Sequence, residues 1–457
     1  MLIDWDQLDK IEKWAAAEER QALASIQQLS GINIGFDNIM KADACAMALR
    51  AIGVSVPRTD AGLPSVTTAI LAAIQHPLAA HIRYCRQVYK LRRTFVASIR
   101  RYATNGRIHG TLRQIVGVNE KNEKSGAAFG RLSHAHPNTA QQPSMAKFAK
   151  MWRKIWLPEP GAIWAVNDLS QQEPRWTTHF AAKYNCEGAA AAAKAYNDDP
   201  RIDNHDFMAK LTGLERSYAK FVFLALCYGE GGKKLCQHQL KLPTRWRVTV
   251  GNYKTGVSQH FFQTEEEARV FRGTIRGKAR ILEVAGEEGQ KILDTFSQRA
   301  PYIRAISDLV QQKAEEVGSI NILGGRRLNF TMGRDGTYDH TYKALNKLIQ
   351  GTSGYQVKMW LIALDEQMPN CFVQLQRHDD LAASVSTREE AKQIGRIGAN
   401  VVRALVPFRV DTEVGTSDGD IHQLCADDAC TEHAVKDDPK DEKSKKYWCD
   451  KHMQRAA

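Results

Sequence analysis

The sequence predicts an α+β fold, on three observations. Residues 162–168 form an apolar, strand-like segment that ends in Asp168. Far downstream, inside the apolar run 371–385, residues 372–376 read as a second strand, followed by His378-Asp379-Asp380-Leu381. Between the two lies 216–228, where Arg216, Lys220, Leu224 and Tyr228 recur every four residues and so share one face of a helix. Two strands of one sheet can hold two carboxylates a few ångströms apart, as phosphoryl transfer with two metal ions requires.

Composition bounds the answer without giving it. The 457 residues are 43% hydrophobic, enough for two to four domains or subdomains with real cores. A net charge of +12, from 63 basic and 51 acidic residues, suits a polyanion partner and equally a soluble basic surface. The first six cysteines are scattered without disulfide-like spacing, which points to a reducing compartment. No apolar stretch approaches the ~18–20 residues of a membrane span. Met1 is followed by Asp4 and Asp6 rather than by a basic signal region, so a soluble intracellular protein with no membrane partner is expected.

In chain order, 4–29 reads as one amphipathic helix with Trp5, Leu8, Ile11 and Trp14 at helical spacing. Short helices broken by Gly and Pro follow from Ile32. A basic helix over 80–102 then carries Arg83, Arg86, Lys90, Arg92, Arg93, Arg100 and Arg101, a run that serves as a solvated face or as a phosphate-binding one. Phe129-Gly130-Arg131 opens a polar segment reaching Gln141-Gln142-Pro143. Alone, Asp168 would read as a helix cap or turn residue, and 216–228 as an ordinary helix with two solvated cations. Residues 244–271 alternate as a β-hairpin followed by a helix. A further helix precedes the second aspartate-bearing strand and carries Asn346 and Gln350 one turn apart.

Together these segments resemble the family A DNA polymerases, especially the phage branch, over roughly residues 30–420. The resemblance implies a right hand: helical thumb, antiparallel palm sheet and mostly helical fingers. It divides the chain into an N-terminal helix (1–30), thumb and thumb–palm connection (31–155), and palm with the first aspartate (156–210). Fingers with a hairpin inserted at about 244–271 follow (211–345), then palm with the second aspartate (346–420) and a tail (421–457). It implies a template-directed polymerase that adds deoxynucleotides to a primer 3′-hydroxyl, with primer–template DNA and dNTPs as partners. Asp168 and Asp379 become ligands of two magnesium ions. Asp380 becomes a further catalytic carboxylate, standing where a glutamate is commoner. Arg216 and Lys220 grip the triphosphate, and Lys220 also protonates the leaving pyrophosphate. Tyr228 stacks near the templating base, and His205 touches phosphate. Glu173 crowds a ribose 2′-hydroxyl, and Leu224 replaces the family's aromatic beside the sugar. Arg131, Gln350, Asn346 and His378 face the DNA, the first two in the minor groove, where acceptor positions are alike for every correct pair. Gly324-Gly325-Arg326-Arg327 directs basic side chains to template phosphates.

Fewer than ~30 residues precede the thumb-like region, so no proofreading 3′–5′ exonuclease is expected in this chain, and a separate exonuclease or other replication subunit is a candidate partner. The expected setting is the cytoplasm of a bacterial or phage-infected cell. The competing readings are a single-subunit RNA polymerase, against which Glu173 and Gln141-Gln142-Pro143 speak, and a non-catalytic DNA-binding subunit, against which the retained Asp168, Asp379, Arg216, Lys220 and Tyr228 speak. Finally, Cys425 and Cys430 (C-x4-C) are followed after 18 residues by Cys449 and His452 (C-x2-H), with His433 as an alternative ligand. Two close pairs of soft ligands in a tail with few apolar residues predict a structural zinc knuckle.

Overall fold

The computed structural model describes residues 1–59, 61–114, 117–118, 124–125, 129–252, 256–277, 279–424, 430, 435–436 and 446–448. Its helices and antiparallel sheets give the α+β fold expected. The helix Trp5–Ser30 starts at Asp4, whose side chain accepts from Gln7 N, and stops at Gly31 with φ 71°. It buries Leu8, Ile11, Ala15, Ala22 and Ile26, a stripe at 3.6-residue spacing. That stripe meets the helix Pro77–Lys90, which continues through a π-helical turn, Leu91–Val96, into Ala97–Tyr102.

This packing gives part of the basic run 80–102 a structural role. Arg92 Nε donates at 2.7 Å to Glu19, which is fully buried in the first helix. Arg100 bridges Asp9 and Glu12 at 2.5 and 2.6 Å. Arg86 donates to the carbonyls of Ile39 (2.8 Å) and Val66. Three of the seven cations therefore tie the helical subdomain together. Their partners lie on other segments 20 to 91 residues away, where periodicity within the basic run carries no information.

The central sheet has five antiparallel strands in the order Phe372–Arg377, Asp380–Val385, Ile163–Leu169, Val410–Ser417, Asp420–Gln423. Side chains alternate between its faces. Trp164, Val166, Leu375 and Ala382 join a core with Trp152, Trp156 and the first helix. Ala165, Leu381, Ala383 and Val414 join the larger core with Trp176, Phe223 and Trp360. The sheet is thus covered on both faces, and what remains available for chemistry is the end carrying the aspartates.

The helix Arg216–Tyr228 buries Ala219, Val222, Phe223, Ala225 and Cys227 and leaves Arg216 and Lys220 exposed. Beyond it, the strands Thr244–Asn252 and Gly256–Phe262 pair as a hairpin, and the helix Glu265–Thr274 follows. A third strand, Ala279–Ala285, pairs with the other edge of Thr244–Asn252, so the segment read as an inserted hairpin is a three-stranded sheet with one helix and reaches past 271. Three boundaries read from the sequence also fall inside elements: 210/211 cuts the helix Asn204–Thr212, 345/346 the helix Ala344–Gln367 and 420/421 the strand Asp420–Gln423. No helix among the described residues is long and apolar enough to cross a membrane.

Candidate active site

The cross-strand register builds the site. Arg377 pairs with Asp380, Asp380 with Asp168, and Asp168 with Asp411, so these four stand in one row across four strands and on one face. Asp379 occupies the tight turn His378–Asp379 that joins the first two of those strands. His378 holds φ 51° there, a left-handed value more usual for Gly or Asn. The turn is fastened by Gln376 Nε2 donating to the His378 carbonyl (2.9 Å) and by Leu169 N donating to the Asp379 carbonyl (3.2 Å). The second bond ties the Asp379 turn to the end of the Asp168 strand.

Both ends of the row are neutralised by arginines. Asp380 accepts from Arg377 Nε at 3.1 and 3.2 Å, and Asp411 pairs with Arg409. Among the described residues no cation pairs with Asp168, which sits between them. Burial, followed by the fields of Asp379, Asp380 and Asp411, pushes the Asp168 carboxyl up to about 8. Asp379 is also raised, chiefly by burial, with Arg131 as a nearby cation that opposes the shift. Asp380 rises to about 6 through burial, despite Arg377. Its carboxylate is paired with that arginine.

Arg377 itself is 7% exposed and reaches on to Asp418, fully buried, at 2.7 and 3.0 Å. Asp418 also accepts from Arg153 Nε (2.9 Å) and Trp164 Nε1 (3.1 Å). Burial works against the Asp418 charge, but Arg377 and Arg153 hold its pKa below the ordinary carboxylate range. The sequence reading missed Arg377, Asp411 and Asp418. An arginine within an apolar strand, next to the aspartates, was the available signal for the first.

On the facing helix, Tyr228 donates its hydroxyl to Glu173 at 2.5 Å, and Arg131 pairs with the other oxygen of Glu173 at 2.6 Å. Arg131, Glu173 and Tyr228, predicted from three distant segments, therefore form one chain of contacts. Arg216, at the other end of the helix, is held by Asp203 (3.1 Å) and Asp206 (2.6 Å). His205 packs toward the same helix, its ring 6.3 Å from that of Phe223. Burial, then Arg216 and Lys220, lowers its pKa to about 4, so it is a neutral hydrogen-bonding group at physiological pH. Lys220 is exposed on the same face, and Leu224 is half-buried one turn further on.

The segment bearing Arg131 lies against the helix Ala344–Gln367, beside Gln350. A Cβ on Gly351 would stand 3.2 Å from the Phe129 carbonyl oxygen, and one on Gly354 3.1 Å from Arg131 N. Glycine at both positions lets the two backbones approach and brings Arg131 and Gln350 to the same region. Asn346 and Gln350 are half-buried on that helix. Arg326 turns toward this contact, its guanidinium beside Gly130, while Arg327 Nε donates to Ser319 Oγ at 2.9 Å. Among the described residues, no group of three or more His, Cys, Asp or Glu side chains is placed to hold a metal alone. Cys425, Cys449, His452 and the alternative His433 lie outside the described residues; Cys430 is buried.

A family model described as DNA polymerase family A matches residues 6–264 and 268–420. A DNA-directed DNA polymerase of Pseudomonas phage M6 is 40% identical over 428 residues, covering 91% of this chain and 62% of that protein. DNA polymerase DpoZ of Salmonella phage PMBT28 is 29% identical over 380 residues, covering 79% of this chain and 55% of that one. The chain thus spans 55 to 62% of the length of these two relatives. In three dimensions it is similar to the POL domain of Pol1 from M. smegmatis, in complex with DNA primer-template and dNTP. There the TM-score is 0.70 at 21% identity, over 92% of this chain and 67% of that one.

Proposed function

This chain belongs to DNA polymerase family A, and on that premise we propose that it extends a primer 3′-hydroxyl with deoxynucleotides directed by a template strand. The observation that carries the reading is the position of Asp168: half-buried, in mid-row between two acids already paired with arginines, and tied to the Asp379 turn. A carboxylate so placed is unfavourable when ionised unless a cation joins it. Two carboxylates suit magnesium, which keeps several waters and completes its shell with substrate phosphates, so a larger protein cage is not required. Asp168 and Asp379 would hold two such ions, which when bound supply Lewis acidity toward the primer hydroxyl and the leaving oxygens.

The remaining roles belong to the chain's own side chains. Lys220 Nζ and Arg216 draw in the triphosphate, and Lys220 delivers a proton to the departing pyrophosphate. His205, neutral, donates one hydrogen bond to a phosphate oxygen. Arg216 exchanges Asp203 and Asp206 for phosphate, so these acids hold it in place until the nucleotide arrives. Glu173, fixed by Tyr228 and Arg131, fills the space that a ribose 2′-hydroxyl would need. Leu224 lines the sugar pocket with an aliphatic surface. Arg131 and Gln350 meet minor-groove acceptors at the primer end, with Asn346 and His378 nearby on the DNA side. In the tail, Cys425, Cys430, Cys449 and His452 form a zinc knuckle that contacts DNA or a replication partner and stands apart from the chemistry.

A primer-extension assay with deoxy- and ribonucleotides tests the reading. Purified protein should extend a DNA primer with dNTPs and discriminate strongly against rNTPs. Extension with rNTPs alone would favour the RNA polymerase reading, and primer–template binding without any extension would favour a non-catalytic subunit.

A further inference from the structure

The three-stranded sheet of residues 244–285 presents a second face opposite its own helix. Its helix, Glu265–Thr274, takes one face. Val248 and Ala268 are fully buried there, and Phe271 packs on Phe262 and His260 at 5.1 and 4.6 Å. By the alternation of side chains the opposite face carries Arg245, Arg247 and Thr249 on the central strand. Phe261, Gln259 and Val257 stand beside them on one edge, and Arg280 and Leu282 on the other.

This face is both cationic and aromatic. The Arg245 guanidinium lies over the Phe261 ring at 4.0 Å, and Phe261 is still 43% exposed. Val257, further along the same edge, is 46% exposed. The Nε atoms of Arg245 and Arg247 are buried with no hydrogen-bond partner. The acid contact recorded for these arginines among the described residues is Arg245 to Glu287, at 3.2 Å, and Glu287 is 84% exposed at the margin. Three arginines around an exposed ring complement a chain of phosphates with unstacked bases, since every base offers a π-face and the backbone a regular row of charge. An acidic peptide would satisfy the arginines but leave the ring without a stacking partner.

Position narrows the ligand further. The three-stranded sheet is rooted at the Tyr228 end of the helix Arg216–Tyr228 through Gly232–Lys234 and Leu235–Leu240. It is fastened there by Lys233 to Glu283 at 2.5 Å. A Cβ on Gly232 would be 3.3 Å from that of Ala285, so the root and the sheet are in close contact. Under the proposed function, which this inference presupposes, the Tyr228 end is where the templating base arrives. We infer that this second sheet face of residues 244–285 is a binding platform for single-stranded nucleic acid and holds the unpaired template strand ahead of the primer end.

The test compares two fluorescent primer–templates with the same duplex, one with a template overhang of about 2 nucleotides and one of about 12, enough to span a single-strand platform. Wild-type protein should bind the longer overhang more tightly. The variant Arg247→Ala/Phe261→Ala/Arg280→Ala should lose that preference, weakening binding of the long-overhang substrate on the order of tenfold or more and leaving the short one unchanged. The slope of log affinity against log salt on the long overhang should fall by about 0.7 for each arginine removed. Arg247→Lys/Arg280→Lys, which keeps the charge, should retain the slope and controls for damage to the sheet. A triple variant that still prefers the long overhang as wild type does would overturn the inference, as would equal weakening on both substrates. Failure of the polymerase reading shows separately, as absent extension by wild-type protein on the short-overhang substrate.

Discussion

Replacing Arg377 by Met should loosen the central sheet and slow extension while leaving primer–template binding intact. Arg377 joins the first strand of the sheet to the turn after the fourth, with Asp380 on one side and Asp418 on the other. Arg377 is 7% exposed and Asp418 not at all, so the variant leaves a buried charge without its principal partner. Such a loss costs about 3–5 kcal/mol. Asp418 keeps Arg153 and Trp164, at 2.9 and 3.1 Å, which places the expectation near the lower limit, about 3 kcal/mol. The folded-state pKa of Asp418 is depressed, so its favourable contribution is present above the ordinary carboxylate value and is lost only as pH falls through the lowered one. Neutral pH therefore reports the full effect. Amide hydrogen exchange in Phe372–Arg377 and Val410–Ser417 is the assay, because it reads local opening rather than global unfolding. Protection there should fall on the order of a hundredfold in Arg377→Met. With Asp418→Asn added, the combined loss should be smaller than the product of the single losses by about tenfold. Unchanged protection in Arg377→Met, or a strictly multiplicative double variant, would refute the buried-network argument.

Three further outcomes are expected. Glu173→Ala should admit ribonucleotides more readily, on the order of tenfold, and Leu224→Tyr should raise acceptance of 3′-deoxy terminators; unchanged incorporation ratios in both would mean that the nucleotide pocket is misassigned. Gly351→Ala places a Cβ 2.8 Å from Ile322 Cγ2 and 3.2 Å from the Phe129 carbonyl oxygen, so it should cost about 1–3 kcal/mol of stability and weaken binding at the primer end, whereas a neutral melting temperature would show that the two backbones can separate freely. Elemental analysis of chelator-free protein should find about one zinc per chain, as a closed four-ligand structural site requires, lost in Cys425→Ser/Cys449→Ser with extension retained; metal-free protein with a folded tail would dismiss the knuckle.

Much of the site was legible in the sequence, for reasons that differ by residue. Asp168 and Asp379 stand out because each follows an apolar strand, and the sheet register sets the strand after the Asp379 turn beside the Asp168 strand. Arg216, Lys220, Leu224 and Tyr228 were readable as one face because helical spacing is a local property. Glu173, Arg131 and Gln350 came from the resemblance alone, since their meeting depends on close approach over Gly351 and Gly354. The Arg377–Asp418 pair was not legible: its members are 41 residues apart and meet across the sheet. The same holds for Arg92 and Glu19, 73 residues apart, which turned an apparent phosphate-binding cation into an internal tie. The strand Ala279–Ala285 escaped notice because Glu283 interrupts its apolar face, and that acid is explained by Lys233, Gln237 and Thr244, all outside the strand.

The central claim is that Asp168 and Asp379 together carry the chemistry while other parts of the chain hold the DNA. Single-turnover primer extension by Asp168→Ala and Asp379→Ala, with primer–template affinity measured on the same preparations, tests it most directly. Each variant should lose extension almost completely, and each should bind primer–template about as tightly as wild-type protein. Extension near the wild-type rate in either variant would contradict the assignment of that carboxylate.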